Sequence, residues 1–314
     1  MTTETTPVRP DPARTKGRKA GFVGLGNMGW PMAHNLAEAG FELVVHDAAP
    51  ELSRRFAAEH PNATAATGPA SFHGVPVVVT MLPNGVIVRE VVLTWDGGIA
   101  SALGPGAIVL DMSSSNPSDT LELGTALEAG GVHVVDAPVS GGVPRAVTGE
   151  LSIMVGGRDE DVAAVQPELQ VMGDAARQFR AGGPGSGHVL KALNNFVAAA
   201  TYCATAEALV VGKTFGLDTG VIVDTINTST GRSFVSELVF GGHAVTGKYA
   251  TGFQLGLLAK DVHIAADIAA SLGIDAPVTA LTDERWAQAL SAVGPAADHS
   301  AAHKAWSEVD LTRD

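Results

Sequence analysis

Two apolar patterns alternate along the first half of the chain, and only one continues beyond it. Short unbroken apolar runs at residues 19–24, 41–46, 75–82, 107–112, 132–136 and 151–156 read as buried strands, with a last short one at 176–180. Between them, residues 31–40, 86–93, 117–129 and 159–172 carry apolar positions at helical spacing; Met32, Leu36 and Ala39 share one face. Strands that are apolar throughout and alternate with helices predict a mainly parallel, doubly wound Rossmann-type sheet covered on both faces. From Gly185 the strand pattern stops. Helical spacing then runs from about 187 to 215, 219 to 229, 234 to 240, 255 to 272 and 277 to 292, which predicts an all-α second domain.

The domain boundaries follow. Residues 1–18 are polar and carry Pro7, Pro10 and Pro12, so a disordered tail is expected. Residues 19–183 form the α/β domain. Residues 184–294 form the helical domain, opened by a long interdomain helix. An Ala-rich tail with one short helix fills 295–314. The tail at residues 1–19 has no apolar core of the kind a secretion signal needs, and cytoplasm is the expected compartment. The most apolar stretch, 196–211, contains Thr201, Thr205 and Glu207, and reads as a buried core helix rather than a membrane span.

Composition narrows this further. Apolar residues make up 46% and charged residues 17% of 314, which fits a compact globular chain and excludes a disordered one. A net charge of −13 argues against a nucleic-acid surface. The single cysteine, Cys203, rules out an internal disulfide framework and sits in an Ala-rich helical stretch as a small core filler.

The chemistry concentrates at strand ends. The first strand runs into Gly24-Leu25-Gly26-Asn27-Met28-Gly29, a helix follows, and the second strand ends at Asp47, 18 residues beyond Gly29. G-x-G-x-x-G alone is a weak signal, but inside a strand–helix–strand unit that ends in an acid it marks a dinucleotide site. Gly24 permits the tight turn, Gly26 lets a pyrophosphate approach the backbone, and Gly29 lets helix and strand pack closely. The helix N-terminus favours the phosphates. The Asp47 carboxylate accepts from ribose hydroxyls and repels a 2′-phosphate, and Ala48 rather than an arginine follows it, so NAD is expected over NADP. Leu82-Pro83, Ser113 to Ser115, and Ser140-Gly141-Gly142 fall at other strand ends, where ligands of such sheets bind. Near the start of the long helix, Lys191 and Asn195 are four apart and share a face. A lysine beside a carboxamide there suits chemistry on an oxygen.

With these motifs in view, the chain resembles the β-hydroxyacid dehydrogenases, the group of 3-hydroxyisobutyrate dehydrogenase and tartronate semialdehyde reductase. The likeness covers about residues 20–290. It is carried by F-V-G-L-G-N-M-G-W-P-M at 22–32, D-A-P-V-S-G-G at 136–142, G-x-G-x-x-x-K-x-x-N-N at 185–195 and Lys260-Asp261. It implies a substrate site between the two domains and a homodimer or homotetramer built through the helical one. It also implies Lys191 as catalytic lysine, Asn195 as a residue holding the substrate, and Ser140, Gly141 and Gly142 as the loop for the substrate carboxylate. Leu82, Pro83 and Ser114 match contacts to the nicotinamide half of the cofactor, and Lys260 matches a lysine that closes over it. Ser114 stands where many members have threonine, and both supply a hydroxyl.

The implied reaction is reversible hydride transfer between NAD and a small β-hydroxyacid such as 3-hydroxyisobutyrate, glycerate or threonate. Lys191 exchanges the hydroxyl proton. A free lysine titrates near 10.4, too high for a base at neutral pH, and burial beside a positive nicotinamide ring lowers it. Backbone N–H groups of Gly141 and Gly142 with the Ser140 hydroxyl suit a carboxylate. Two rival readings are a reductase of C=N bonds and a cofactor-binding module without catalysis; the relatives of both kinds tend to lack the lysine that stands here as Lys191. No metal site is expected, because His299 and His303 lack the glutamate of H-E-x-x-H and read as a solvated pair. Arg145 reads as a helix cap or a second anion contact. His188 and Arg232 remain candidates for lining the site.

Overall fold

The computed structural model describes residues 15–313. The expected tail lies outside them as far as residue 14. Its last residues do not belong to a loose tail: Thr15 is buried, and the Arg18 guanidinium reaches the Glu168 carboxylate at 2.7 Å. The chain divides into two compact units after Lys191.

The first unit is built on nine strands: β1 Lys19–Val23, β2 Glu42–His46, β3 Ala63–Ala65, β4 Val77–Thr80, β5 Ile108–Asp111, β6 His133–Asp136, β7 Val139–Ser140, β8 Leu151–Gly156 and β9 Gly173–Gly182. Their order is β3-β2-β1-β4-β5-β6-β8-β7, with β9 also paired to β8. Neighbours from β3 through β6 are parallel, and β8 runs antiparallel to β6. The mainly parallel sheet expected from the pattern is therefore present.

Its strands are apolar throughout because both faces are covered. Along β1, Phe22 enters the cluster of Met32, Leu36, Phe41, Leu110 and Val135, while its neighbour Val23 enters that of Phe72, Val78 and Ile99. Phe22 is fully buried, which contributes about 1.5–3 kcal/mol relative to exposure.

Several local expectations are corrected. The helix expected over 159–172 is two, Asp159–Ala164 and Gln166–Met172. Pro167 lacks the N–H that would continue the first, and its ring clashes with the preceding turn. The short strand at 176–180 extends to Gly173–Gly182, and a helix at Pro50–Glu59 and a strand at Ala63–Ala65 complete the second crossover.

The second unit is helical. Ser186–Phe215 opens in the first unit and continues into it, followed by Thr219–Asn227, the π-helical Val235–Ala244, Leu255–Ser271 and Pro277–Val293. Ala199, Tyr202, Ala206 and Leu209 turn inward to Phe240, Leu258, Val262 and Trp286, and the Trp286 indole N–H donates to the Ala199 carbonyl at 3.3 Å. The 186–215 helix is not a fully buried core helix: Val197, Val211 and Phe215 are exposed on its other side. It is long and apolar enough by composition to cross a membrane, as core helices of soluble proteins also are. Cys203 is partly buried and packed against this core, and burial pushes its thiol up to about 11.

Residues 295–313 are not a tail. The 3₁₀ helix His299–Ala305 and Leu311 belong to the helical core, with Ala302 and Leu311 fully buried. Nor are His299 and His303 solvated; both are buried. The Tyr202 hydroxyl donates to the Ser300 carbonyl at 2.8 Å, so the contact of 3.0 Å between that hydroxyl and His303 Nδ1 has the imidazole as donor. Burial holds His303 down to about 4, against 6.5 for an ordinary histidine. Between those values the unfolded chain binds a proton that the folded one refuses, so this contribution to stability is complete above about 6.5 and lost as pH falls toward 4. The melting temperature is expected to fall over that window, and His303→Gln is expected to flatten the fall. An unchanged pH slope in the variant would remove His303 as its source.

Candidate functional site

The cofactor end of the first unit starts where β1 stops. Gly24 takes φ +98°, and its N–H donates to the His46 carbonyl at 2.8 Å. A Cβ at Gly24 would strike the Met81 carbonyl, and one at Gly29 would strike the Gly24 carbonyl, so turn, strand and helix meet backbone to backbone. Gly26 and Asn27 are exposed, Gly26 has open space where a Cβ would stand, and Met28 is half-buried. No side chain caps the Gly29–Glu38 helix, which leaves its start to an anion. Asp47 is drawn onto the turn: Oδ2 accepts from the Leu25 N–H at 2.7 Å and Oδ1 from the Ala49 N–H at 2.8 Å. Each oxygen keeps a lone pair for a sugar hydroxyl.

A polar row crosses the sheet at its carboxyl end. Strand register sets Thr80, Asp111, Asp136 and Gly156 side by side on β4, β5, β6 and β8. Asp111 accepts from the Thr80 hydroxyl at 2.8 Å, the Ser113 N–H at 3.0 Å and the Ser115 hydroxyl at 2.8 Å. The Ser113 hydroxyl oxygen then accepts from the Leu82 N–H at 2.9 Å. Leu82 and Ser114 are half-buried, and Pro83 is exposed; the bond from Leu82 to Ser113 joins the loops that carry them.

Asp136 holds the helix that carries Lys191. Its carboxylate accepts from the Gly185 N–H at 2.7 Å and the His188 N–H at 3.0 Å. A Cβ on Gly156 would stand 2.5 Å from Asp136 Oδ1, and one on Gly187 would strike the Met154 carbonyl, so glycine at both positions lets the helix start sit on the sheet end. His188 does not line an open site. It is buried, with Nε2 at 3.1 Å from the Ser113 carbonyl and Nδ1 at 2.8 Å from the Thr120 hydroxyl. A carbonyl only accepts, so the proton sits on Nε2 and Thr120 donates to Nδ1. Lys191, three residues on, is half-buried.

The Ser140 loop is compact. Ser140 pairs with Ser152 of β8, and Gly141 and Gly142, both exposed, take φ +130° and +64°. The loop opens a short helix, Gly142–Thr148, that was not expected. Arg145, half-buried on it, lays its stem across Gly141, where a Cβ would stand 2.6 Å from its Cδ.

In the second unit Asn195 is buried, its Nδ2 donating to Asp261 Oδ2 at 2.6 Å and its Oδ1 accepting from Asn194 Nδ2 at 3.0 Å. The half-buried Lys260 pairs with Asp261 Oδ1 at 3.0 Å. Arg232 is exposed and pairs with Glu237 at 2.8 Å. The sequence singles out neither Thr80 nor Thr120, and it shows Asp111, Ser113, Asp136 and Asp261 only as parts of strands or motifs and not as supports. For Thr80, Asp111 and Asp136 the legible signal is a polar residue closing a buried apolar strand, as in I-V-L-D and V-V-D.

A glycine turn gripped by an acid, at the carboxyl end of a parallel sheet, defines a dinucleotide-binding domain. Comparison with known proteins agrees. Residues 19–182 match the family described as the NAD binding domain of 6-phosphogluconate dehydrogenase. Residues 185–306 match that described as NAD-binding of NADP-dependent 3-hydroxyisobutyrate dehydrogenase. The chain is 33% identical to 2-(hydroxymethyl)glutarate dehydrogenase of Eubacterium barkeri, over 94% of this chain and 96% of that one. It is 34% identical to 3-sulfolactaldehyde reductase of Escherichia coli, over 86% and 90%. Among solved structures, Mycobacterium tuberculosis 3-hydroxyisobutyrate dehydrogenase with L-serine aligns with a TM-score of 0.81 and 29% identity, over 92% and 98%. The chain belongs to the β-hydroxyacid dehydrogenase family. It is a nicotinamide-dependent oxidoreductase acting on the CH–OH group of small β-hydroxyacids.

Asp136→Ala strands the buried Gly185 and His188 N–H groups, at about 1–3 kcal/mol for each donor left unpaired. Urea denaturation is expected to show a loss of about 2–6 kcal/mol for the two donors together. A variant as stable as the parent would mean that the helix start does not depend on this carboxylate.

Proposed function

We propose that the chain oxidises a three- to four-carbon β-hydroxyacid reversibly, using NAD in preference to NADP, with Lys191 exchanging the hydroxyl proton. The observation that carries this reading is the fixed start of the 186–215 helix. Asp136 holds the backbone at Gly185 and His188, so Lys191 leaves a rigid turn and not a mobile loop. A lysine is a slow acid–base group unless its position is held, and position is what this arrangement supplies.

The nicotinamide ring, when bound, accepts the hydride. The amine of Lys191 takes the proton from the substrate hydroxyl and returns it in the reverse direction. The Ser140 hydroxyl and the backbone at Gly141 and Gly142 hold the substrate carboxylate. Asn195, its amide oriented by Asp261 and Asn194, keeps one N–H and one lone pair for a second substrate oxygen. Leu82, Pro83 and Ser114 carry the nicotinamide half, and Lys260 closes over the cofactor. The preference for NAD is supported by Asp47, whose two oxygens are fixed by backbone N–H groups and which Ala48, without charge, follows. A 2′-phosphate at that carboxylate meets like charge.

The enzyme is a soluble cytoplasmic homo-oligomer in this reading. Val197, Val211 and Phe215 on the long helix, with Phe234 and Leu238, are exposed apolar side chains of the helical unit that a second subunit would cover.

Lys191→Ala is expected to lower kcat by about 10²–10⁴-fold while NAD still binds, since that is what one acid–base group supplies. Turnover near that of the parent on a panel of glycerate, threonate and 3-hydroxyisobutyrate would exclude Lys191 from proton transfer. Asp47→Ala removes a charged acceptor worth about 1.5–3 kcal/mol, so the preference for NAD over NADP is expected to shrink roughly tenfold or more. An unchanged ratio of kcat/KM for the two cofactors would refute the role given to Asp47.

A further inference from the structure

Away from the glycine turn, at the far end of the Gly29–Glu38 helix, three side chains of unassigned purpose converge. His34 and Glu38 are one turn apart and share a helix face. His60 closes the Pro50–Glu59 helix and faces them. One ligand atom from each of the three lies within 4.8 Å of the other two. They line a surface pocket of about 390 Å³ together with Trp30, Glu59 and Val147.

His60 is held as metal-ligating histidines are held. Its ring stacks on Phe56, centroids 4.0 Å apart with 16° between planes, and it is 5% exposed. Its Nδ1–H donates to the Phe56 carbonyl at 2.9 Å. A backbone carbonyl on one ring nitrogen fixes the tautomer and leaves the lone pair on the other, which is the outer-sphere support common to histidine ligands. That lone pair, on Nε2, faces His34 Nδ1, 2.8 Å away. The short contact by itself is satisfied by a simple hydrogen bond between the two rings. The third donor is Glu38: its exposed carboxylate stands beside the two imidazoles and, among the described residues, has neither hydrogen bond nor ion pair. Glu59, also at the pocket, is engaged by Arg55 at 3.0 Å.

We propose that His34 Nδ1, His60 Nε2 and a Glu38 carboxylate oxygen form a binding site for one Zn²⁺ ion per chain. Two imidazoles and a carboxylate are a donor set for a borderline ion and not for Mg²⁺ or Ca²⁺, which take oxygen ligands. Tetrahedral bonds of about 2.0–2.2 Å set donors about 3.3–3.6 Å apart. The two imidazole nitrogens, 2.8 Å apart, therefore open to admit the ion while the Glu38 carboxylate draws in, and the exposed His34 and Glu38 have the rotamer freedom for both movements. Binding moves the His34 proton from Nδ1 to Nε2, and water completes the shell. Ligands from two helices make the ion a cross-link between them, with a structural effect and none on hydride transfer.

The test uses the full-length enzyme, stripped with a chelator and titrated with Zn²⁺ alone by calorimetry and thermal melting, with Co²⁺ absorption as the readout of coordination. The expected result is one ion per chain, a raised melting temperature, and a tetrahedral Co²⁺ spectrum. His34→Ala and Glu38→Gln alter exposed side chains and leave folding intact. Each is expected to weaken binding at least as much as the roughly 10–100-fold that loss of an outer-sphere partner costs, with dehydrogenase activity unchanged. No binding by the parent at roughly a tenfold molar excess of Zn²⁺, or equal affinity in parent and both variants, would overturn the assignment.

Discussion

The structure depends on a carboxylate buried where two strands and a helix meet. Asp136 is fully buried, and an ion in that position is costly unless its oxygens are filled. The chain fills them with two backbone N–H groups from the first turn of the helix that bears Lys191. Charge burial and helix placement are therefore one problem with one solution. The glycines at 156 and 187 belong to it as well, because side chains there would push the helix off the carboxylate. His188 extends the grip sideways: its backbone is bonded to Asp136, and its ring spans the Ser113 carbonyl and Thr120. Through that ring the helix start is tied to the loop after β5, and through Ser113 to the backbone of Leu82.

A second buried acid sits beside the first in the strand register. Two adjacent carboxylates away from water repel unless each is separately satisfied. Asp111 collects two hydroxyls and an N–H, and the His188 ring lies between the pair, 3.7 Å from one carboxylate and 3.9 Å from the other. Two of the three donors that satisfy Asp111 come from the serine loop, on either side of Ser114. The same bonds that make burial tolerable thus hold that loop in shape. Asp47 works differently. It is only partly buried, takes two backbone N–H groups and keeps accepting capacity outward. It resembles its neighbours in chemistry and differs in facing outward.

What the sequence made legible was what is local. The unit from β1 through Asp47 was readable because turn, phosphate cradle and acid lie within one crossover of chain. Asp111 and Asp136 were not read as supports, because an aspartate closing a strand has the same local pattern whether it faces solvent or a helix arriving from fifty residues away. The helix at Pro50–Glu59 was missed because only Leu52 and Phe56 mark its apolar face amid charged neighbours. Pro144 disguised Gly142–Thr148 as loop, although proline is tolerated in a first helical turn. The last twenty residues misled by composition. Alanine, serine and histidine look soluble in a row, but His303 is buried by Tyr202 and its neighbours, partners a hundred positions earlier.

Lys191 and Asn195, four residues apart on the long helix, are supported by different physics. The backbone that carries Lys191 is placed by the bonds from Gly185 and His188 to Asp136. Asn195 is held through its carboxamide, whose nitrogen is fixed by Asp261 and whose oxygen is fixed by Asn194. This fixes which end of the amide is donor and which is acceptor, a choice that an isolated asparagine leaves open. The Asn194-Asn195 and Lys260-Asp261 motifs, far apart in sequence, are one device, with Asp261 shared between the lysine and the amide. A carboxamide tells a donor from an acceptor only when its orientation is fixed. The helix gives backbone support to Lys191 and side-chain support to Asn195.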